Sequence, residues 1–178
     1  MTIRRIVTGK SAAGKSIVVH DGVSPREVAL QHTPGFVVSP IWVTAKAPSL
    51  PTDGKDPMAE AGTLLPPPGG STFIVIRVPP DQVMMSPDFR PDLAGPEHVS
   101  ATPGIAETFE MDAPGMHTTP TVDYGCVVDG EIWMELDDGV VVHLTQGDVI
   151  VQNGTRHGWR NRSDKPATLA FVLLGAKN

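Results

Sequence analysis

Five short apolar runs in the last third of the chain are punctuated by residue pairs that favour tight turns. "YGCVV", "EIWMEL", "VVVHL", "VIVQ" and "TLAFVLL" are separated by Asp129-Gly130, Asp138-Gly139, Gly147-Asp148 and Asn153-Gly154. Asp-Gly and Asn-Gly accept positive φ at little cost, so they close two-residue hairpins. Connections this short leave no room for a crossover helix, and the runs must pair antiparallel. The composition agrees, since 18 glycines and 18 prolines are many for a helical protein. Long apolar patterns of period 3.6 are absent. The reading is an all-β jelly roll or barrel.

Upstream, segments 2–8, 16–20, 27–31, 36–44 and 71–78 also read as strands, with "FVVSPIWVT" the most apolar of the first four. Residues 45–71 are Pro-rich and cannot hold a ladder or a long helix, so they should form an ordered surface loop or a flap. Residues 79–114 are again Pro-rich and polar, with one short helix expected around "GIAETFEM", and are read as a lid or a subunit contact. The whole of 1–178 is read as a single domain, with N-terminal strands and the Pro-rich loop in 1–70 and the core roll in 71–178.

"GKSAAGKS" at 9–16 matches the phosphate-binding pattern G-x-x-x-x-G-K-[ST]. Such a loop must open a helix, whose N-terminus supplies much of the anion affinity. Here "IVVHDG" follows, a strand and then a turn, so nucleotide binding is rejected. The net charge of -6, without a basic cluster, argues against nucleic acid or an anionic membrane as partner. Cys126 is the single cysteine, which excludes an internal disulfide; in its apolar run it reads as a buried structural thiol. No stretch has signal-peptide or membrane-spanning length, and the expected location is cytoplasmic.

Metal-ligand chemistry concentrates in "GMHTTPTVDYGCVVDG" (115–130) and "GDVIVQNGTRHGWRN" (147–161). These stretches resemble the two signature motifs of the cupin superfamily, in particular small single-domain conserved-barrel cupins. The first motif falls on His117, Thr119, Asp123 and Gly130. The second falls on Gly147, Gly154, His157 and Asn161, with Gln152 near the family's proline and a spacer one residue shorter. The resemblance implies a cupin-type antiparallel jelly-roll barrel, or double-stranded β-helix, with an N-terminal strand extension. It also implies a divalent metal, and by family analogy a homodimer. In the family two histidines and a glutamate of the first motif join one histidine of the second. Thr119 and Asp123 replace two of these, leaving His117, Asp123 and His157 as metal ligands for Fe, Mn, Ni or Zn.

Residues 117, 119, 121 and 123 share parity and should face one interior, although Pro120 should interrupt strict alternation. Asp123, Thr119 and Gln152 are catalytic candidates, and Tyr124, of opposite parity, is a candidate general acid or a packing residue. Trp133, Trp159 and Met116 are candidates for the substrate pocket. Arg156 and Arg160 should face solvent or a neighbouring subunit, His143 should be satisfied or solvent-facing, and Asn161 should fix a turn. The expected function is metal-assisted isomerisation, dehydration or decarboxylation of a small organic metabolite. The alternatives are a non-haem iron dioxygenase, and a metal-free binding or sensing module in which the same residues hydrogen-bond a ligand carboxylate or carbonyl.

Overall fold

The structure is a computed structural model that describes residues 2–50 and 52–177; Pro51 of the Pro-rich stretch lies outside the described residues. Its strands are β1 (Arg4–Lys10), β2 (Ser16–Val23), β3 (Val28–Ala29), β4 (Val37–Thr44), β5 (Ser71–Val78), β6 (Thr121–Asp129), β7 (Glu131–Glu135), β8 (Val141–Thr145), β9 (Val149–Asn153), β10 (Gly158–Arg160) and β11 (Ala167–Gly175). A six-stranded sheet in the order β3-β4-β5-β11-β6-β9 packs against a three-stranded sheet, β10-β7-β8, with every pairing antiparallel. Ile74, Val127, Ile150, Leu169, Phe171 and Leu173 of the larger sheet meet Ile132 and Leu144 of the smaller in one core. This is the expected jelly roll, but of the strands joined by the turn dipeptides only β7 and β8 pair with each other; Asp129-Gly130, Gly147-Asp148 and Asn153-Gly154 instead carry the chain from one sheet to the other.

The strands of the first 70 residues divide between two roles. β3 and β4 extend the large sheet, whereas β1 and β2 form a separate two-stranded ribbon. The "GKSAAGKS" stretch is the turn of that ribbon: Ser11 N–H donates to the Lys15 carbonyl at 2.8 Å, and Gly14 takes φ 75°. With strand on both sides, the turn has no helix behind it to hold a phosphate. Arg5 is the ribbon's anchor, since its guanidinium is buried, binds the Ile41 carbonyl and pairs with Asp56.

The helix lies elsewhere than expected. "GIAETFEM" contains only one 3-10 turn, Ala106–Thr108, and the α-helix is α1, Pro91–Ala101. Pro91 sits at its first turn, where the missing N–H costs nothing. Gly95 and Pro96 lie inside, and local propensity alone would reject the segment. Tertiary bonds hold it instead: the Glu97 carboxylate accepts the Gln31 and His32 N–H groups at 2.7 and 2.8 Å, and His98 bonds the Thr33 hydroxyl. The Pro-rich loop is an ordered one, pinned by Met58 and Leu64, both fully buried.

Asn161 fixes a turn as its motif position suggests. Its amide donates to the Val78 and Lys165 carbonyls, and its oxygen accepts from Ser163. A tighter constraint lies at Gly125 on β6, where an added Cβ would stand 2.6 Å from Phe171 Cε1 and 2.8 Å from Cδ1. Gly125→Ala must therefore displace a core ring. We expect a loss of about 1–3 kcal/mol, read as a lower urea midpoint at unchanged m-value.

Candidate functional site

The approach to β6 alternates strictly. His117, Thr119, Thr121 and Asp123 are 8, 3, 2 and 6 % exposed, while Thr118, Pro120 and Tyr124 face outward. Pro120 does not interrupt the alternation, because its missing N–H falls on the solvent side and its carbonyl accepts from Ala176 at 3.0 Å. His157 closes the arrangement from the second motif. His117 N–H donates to the His157 carbonyl and His157 N–H to the His117 carbonyl, both at 2.9 Å. This reciprocal bridge seats the two imidazoles side by side, with ring centroids 4.2 Å apart.

Backbone carbonyls set the tautomer of each ring. His117 Nδ1 donates to the Gly115 carbonyl at 3.2 Å and His157 Nδ1 to the Thr155 carbonyl at 2.9 Å. In a neutral imidazole the other nitrogen then carries a lone pair. Both Nε2 atoms are such acceptors, without a side-chain or backbone partner among the described residues. Burial, then the neighbouring His157, pushes the pKa of His117 down to about 4. Burial likewise lowers that of His157.

Asp123 stands directly across from Gln152 in the β6–β9 register. Both side chains are buried, and both Asp123 Oδ1 and Gln152 Oε1 lack a hydrogen-bond partner. Burial raises the Asp123 pKa, with the Thr121 hydroxyl opposing it. The Gln152 amide touches the Met134 sulfur at 3.9 Å, and Met134 pairs with Trp159. Trp159 stands edge-on to His157, 5.8 Å between centroids, and packs on Phe171. Thr119 and Thr121 hydrogen-bond one another at 2.7 Å.

Three candidates fall outside this layer. Trp133 follows the inward Ile132, so strand alternation turns it to the outer face, where it stacks on His143 at 4.3 Å. His143 is half-exposed and bonds Glu131. Tyr124 is 53 % exposed and of opposite parity to Asp123, so it stands outside the buried layer. Met116 is buried, but its parity is opposite to His117 and its sulfur lies against Gly158, where a Cβ would be only 2.6 Å away. Arg156 and Arg160 are committed within the chain, Arg156 to Glu110 and Asp137, and Arg160 to Glu135 and the Pro114 carbonyl. Cys126 is only partly buried.

One wall of the site carried no motif signal. Phe109 bridges to His117 through the backbone and lays its ring 4.7 Å from that imidazole. It sits in the stretch read as helix, where a period-2 partner for His117 could not be seen.

Residues 109–173 match the family model described as "Cupin domain". This stretch of the chain is a cupin domain. The chain is 52 % identical over 63 residues to phomopsin biosynthesis cluster protein C′ of Diaporthe leptostromiformis, an overlap of 35 % of this chain and 33 % of that protein. It is 38 % identical over 65 residues to the cupin-domain-containing oxidoreductase virC of Hypocrea virens, covering 35 % of this chain and 34 % of that one. The matched region thus spans about a third of the length of the curated relatives. Among solved structures it is similar to the Schizosaccharomyces pombe Cnp3 cupin domain, with 9 % identity, 98 % of this chain and 89 % of that chain covered, and a TM-score of 0.47.

The superfamily implies a metal, and the donors here fit one only in part. Two neutral imidazoles with Nδ1 anchored and Nε2 free are what a divalent transition metal requires. The third donor does not arrive: among the described residues no three His, Cys, Asp or Glu side chains lie close enough together to hold an ion. Asp is one methylene shorter than Glu, and Asp123 stays beside Gln152. The proposed ligand set of His117, Asp123 and His157 is therefore reduced to its imidazole pair, and as a three-donor centre the residues do not fit.

The lowered imidazole pKa values make stability pH-dependent. A histidine whose folded pKa lies below its ordinary 6.5 leaves the unfolded chain to take up the proton first. Stability is whole above about pH 6.5 and falls as the pH drops toward about 4, by of order 3 kcal/mol for His117. Asp123, with a raised pKa, acts in the opposite sense, stabilising below its ordinary value and losing that contribution as pH rises through its folded one. Urea midpoints measured from pH 7 to 4.5 should decline, and His117→Gln should flatten the decline.

Proposed function

We propose that this cupin is a small-molecule enzyme in which the Asp123 carboxyl moves a proton while the His117 and His157 Nε2 atoms hold the reacting group of an organic metabolite. The observation that carries the reading is a buried carboxyl with an unpartnered oxygen on the same inner face as two imidazoles of fixed tautomer. Burial pushes the Asp123 carboxyl above the ordinary carboxylate range, which favours its holding a proton that it can give up and take back. An imidazole near pKa 4 is a weak base but a good hydrogen-bond acceptor. The division of labour suits isomerisation or dehydration, in which a proton leaves one atom and returns to another. Names of relatives that place them in biosynthesis clusters support a substrate that is a biosynthetic intermediate.

A second reading is redox. Relatives named as cupin-domain-containing oxidoreductases favour it, as does the anchoring of both imidazoles through Nδ1. The two separate by experiment. Under the first reading, Asp123→Asn lowers kcat at least a hundredfold with the fold intact by circular dichroism, and turnover persists under argon. Oxygen uptake stoichiometric with product, together with iron retained by the wild type and lost in His157→Ala, would establish the second and remove the first.

A further inference from the structure

A concavity lies outside the barrel, where residues 25–30 around β3 face α1 across a cleft of about 380 Å³. A space of that order accommodates a small metabolite. Its floor is apolar. Val28, Leu30 and Ala101 line it, and Leu30 and Ala101 belong to the buried core.

The rim carries both signs of charge, Arg26 and Glu27 from the turn before β3 and Glu97 from the helix. Opposite charges lining one cleft would ordinarily close on each other, yet no carboxylate among the described residues pairs with Arg26. Each group is tethered elsewhere. Arg26 Nη1 donates to the Ala61 carbonyl at 2.5 Å. Glu27 Oε2 is drawn away by the Ile3 N–H and the Ser39 hydroxyl. The Glu97 oxygens accept the Gln31 and His32 N–H groups at 2.7 and 2.8 Å. Although burial opposes it, those two N–H groups hold the Glu97 carboxyl below its ordinary range, so it is ionised at neutral pH.

Neither rim charge is exhausted by its tether. A guanidinium has five N–H donors, of which the Ala61 carbonyl takes one, and each carboxylate oxygen keeps a further lone pair. The cleft therefore presents a cation and an anion that are held apart in advance, a geometry that lowers the ordering cost of binding a molecule with both charges.

We propose that this cleft binds a small zwitterion, an α-amino acid with an aliphatic side chain, whose carboxylate meets Arg26, whose ammonium meets Glu97 and whose side chain covers the Leu30–Ala101 floor. An anion would face Glu27 and Glu97, and a cation would leave Arg26 without a partner. The site stands apart from His117, Asp123 and His157, so the inference does not rest on the catalytic reading.

The test is calorimetric titration of the intact chain with L-leucine, N-acetyl-L-leucine and L-leucinamide, which share a side chain and differ in which end is charged. Saturable binding of leucine at least tenfold tighter than of either capped form is the expected result. Arg26→Gln should weaken leucine at least tenfold and leave leucinamide unchanged, because a neutral amide brings no charge to the guanidinium. Ser100→Trp fills the cleft from an exposed position on its helical wall, and should block leucine with the circular dichroism spectrum intact. No saturable leucine binding, a capped form that binds as tightly as leucine, or undiminished leucine binding in either variant would each overturn the proposal.

Discussion

Two main-chain hydrogen bonds between His117 and His157 hold the site together. They join residues forty positions apart into one antiparallel pair and place both rings on the same side of it. The rest follows from that register. Once His117 is fixed, alternation carries Thr119, Thr121 and Asp123 inward, and the β6–β9 ladder brings Gln152 opposite Asp123. The pairing of β10 with β7 then sets Trp159 against Met134, which reaches Gln152. A one-residue slip in any of these strands would turn that strand's share of the polar set to solvent.

The fold was legible because its punctuation is local. Asp129-Gly130, Asp138-Gly139 and Asn153-Gly154 specify turns irrespective of what surrounds them, and the strands of the β6–β11 region lie where those turns require. α1 was not legible, since Gly95 and Pro96 speak against a helix. What stabilises it is distant in sequence: Gln31, His32 and Thr33 bond Glu97 and His98 across some 65 positions.

The site was legible in part for a related reason. Motif spacing named His117, His157, Asp123 and Gln152, and parity alone sufficed to send Tyr124 and Trp133 outward once β6 and β7 were placed. Whether a third donor reaches the imidazoles depends on the length of one side chain in three dimensions, which no spacing encodes. Phe109 was invisible because it meets His117 through an isolated bridge rather than a named strand.

The protonation pattern of the two rings is written in main-chain oxygens, those of Gly115 and Thr155, and no side-chain replacement at those positions deletes a carbonyl. The surrounding Phe109 and Trp159 carry no such duty, whereas Phe171 is fixed by the core. A lineage can thus exchange these aromatic walls freely while the electronic state of the imidazoles stays constant, which separates the evolution of selectivity from the evolution of reactivity within a single barrel.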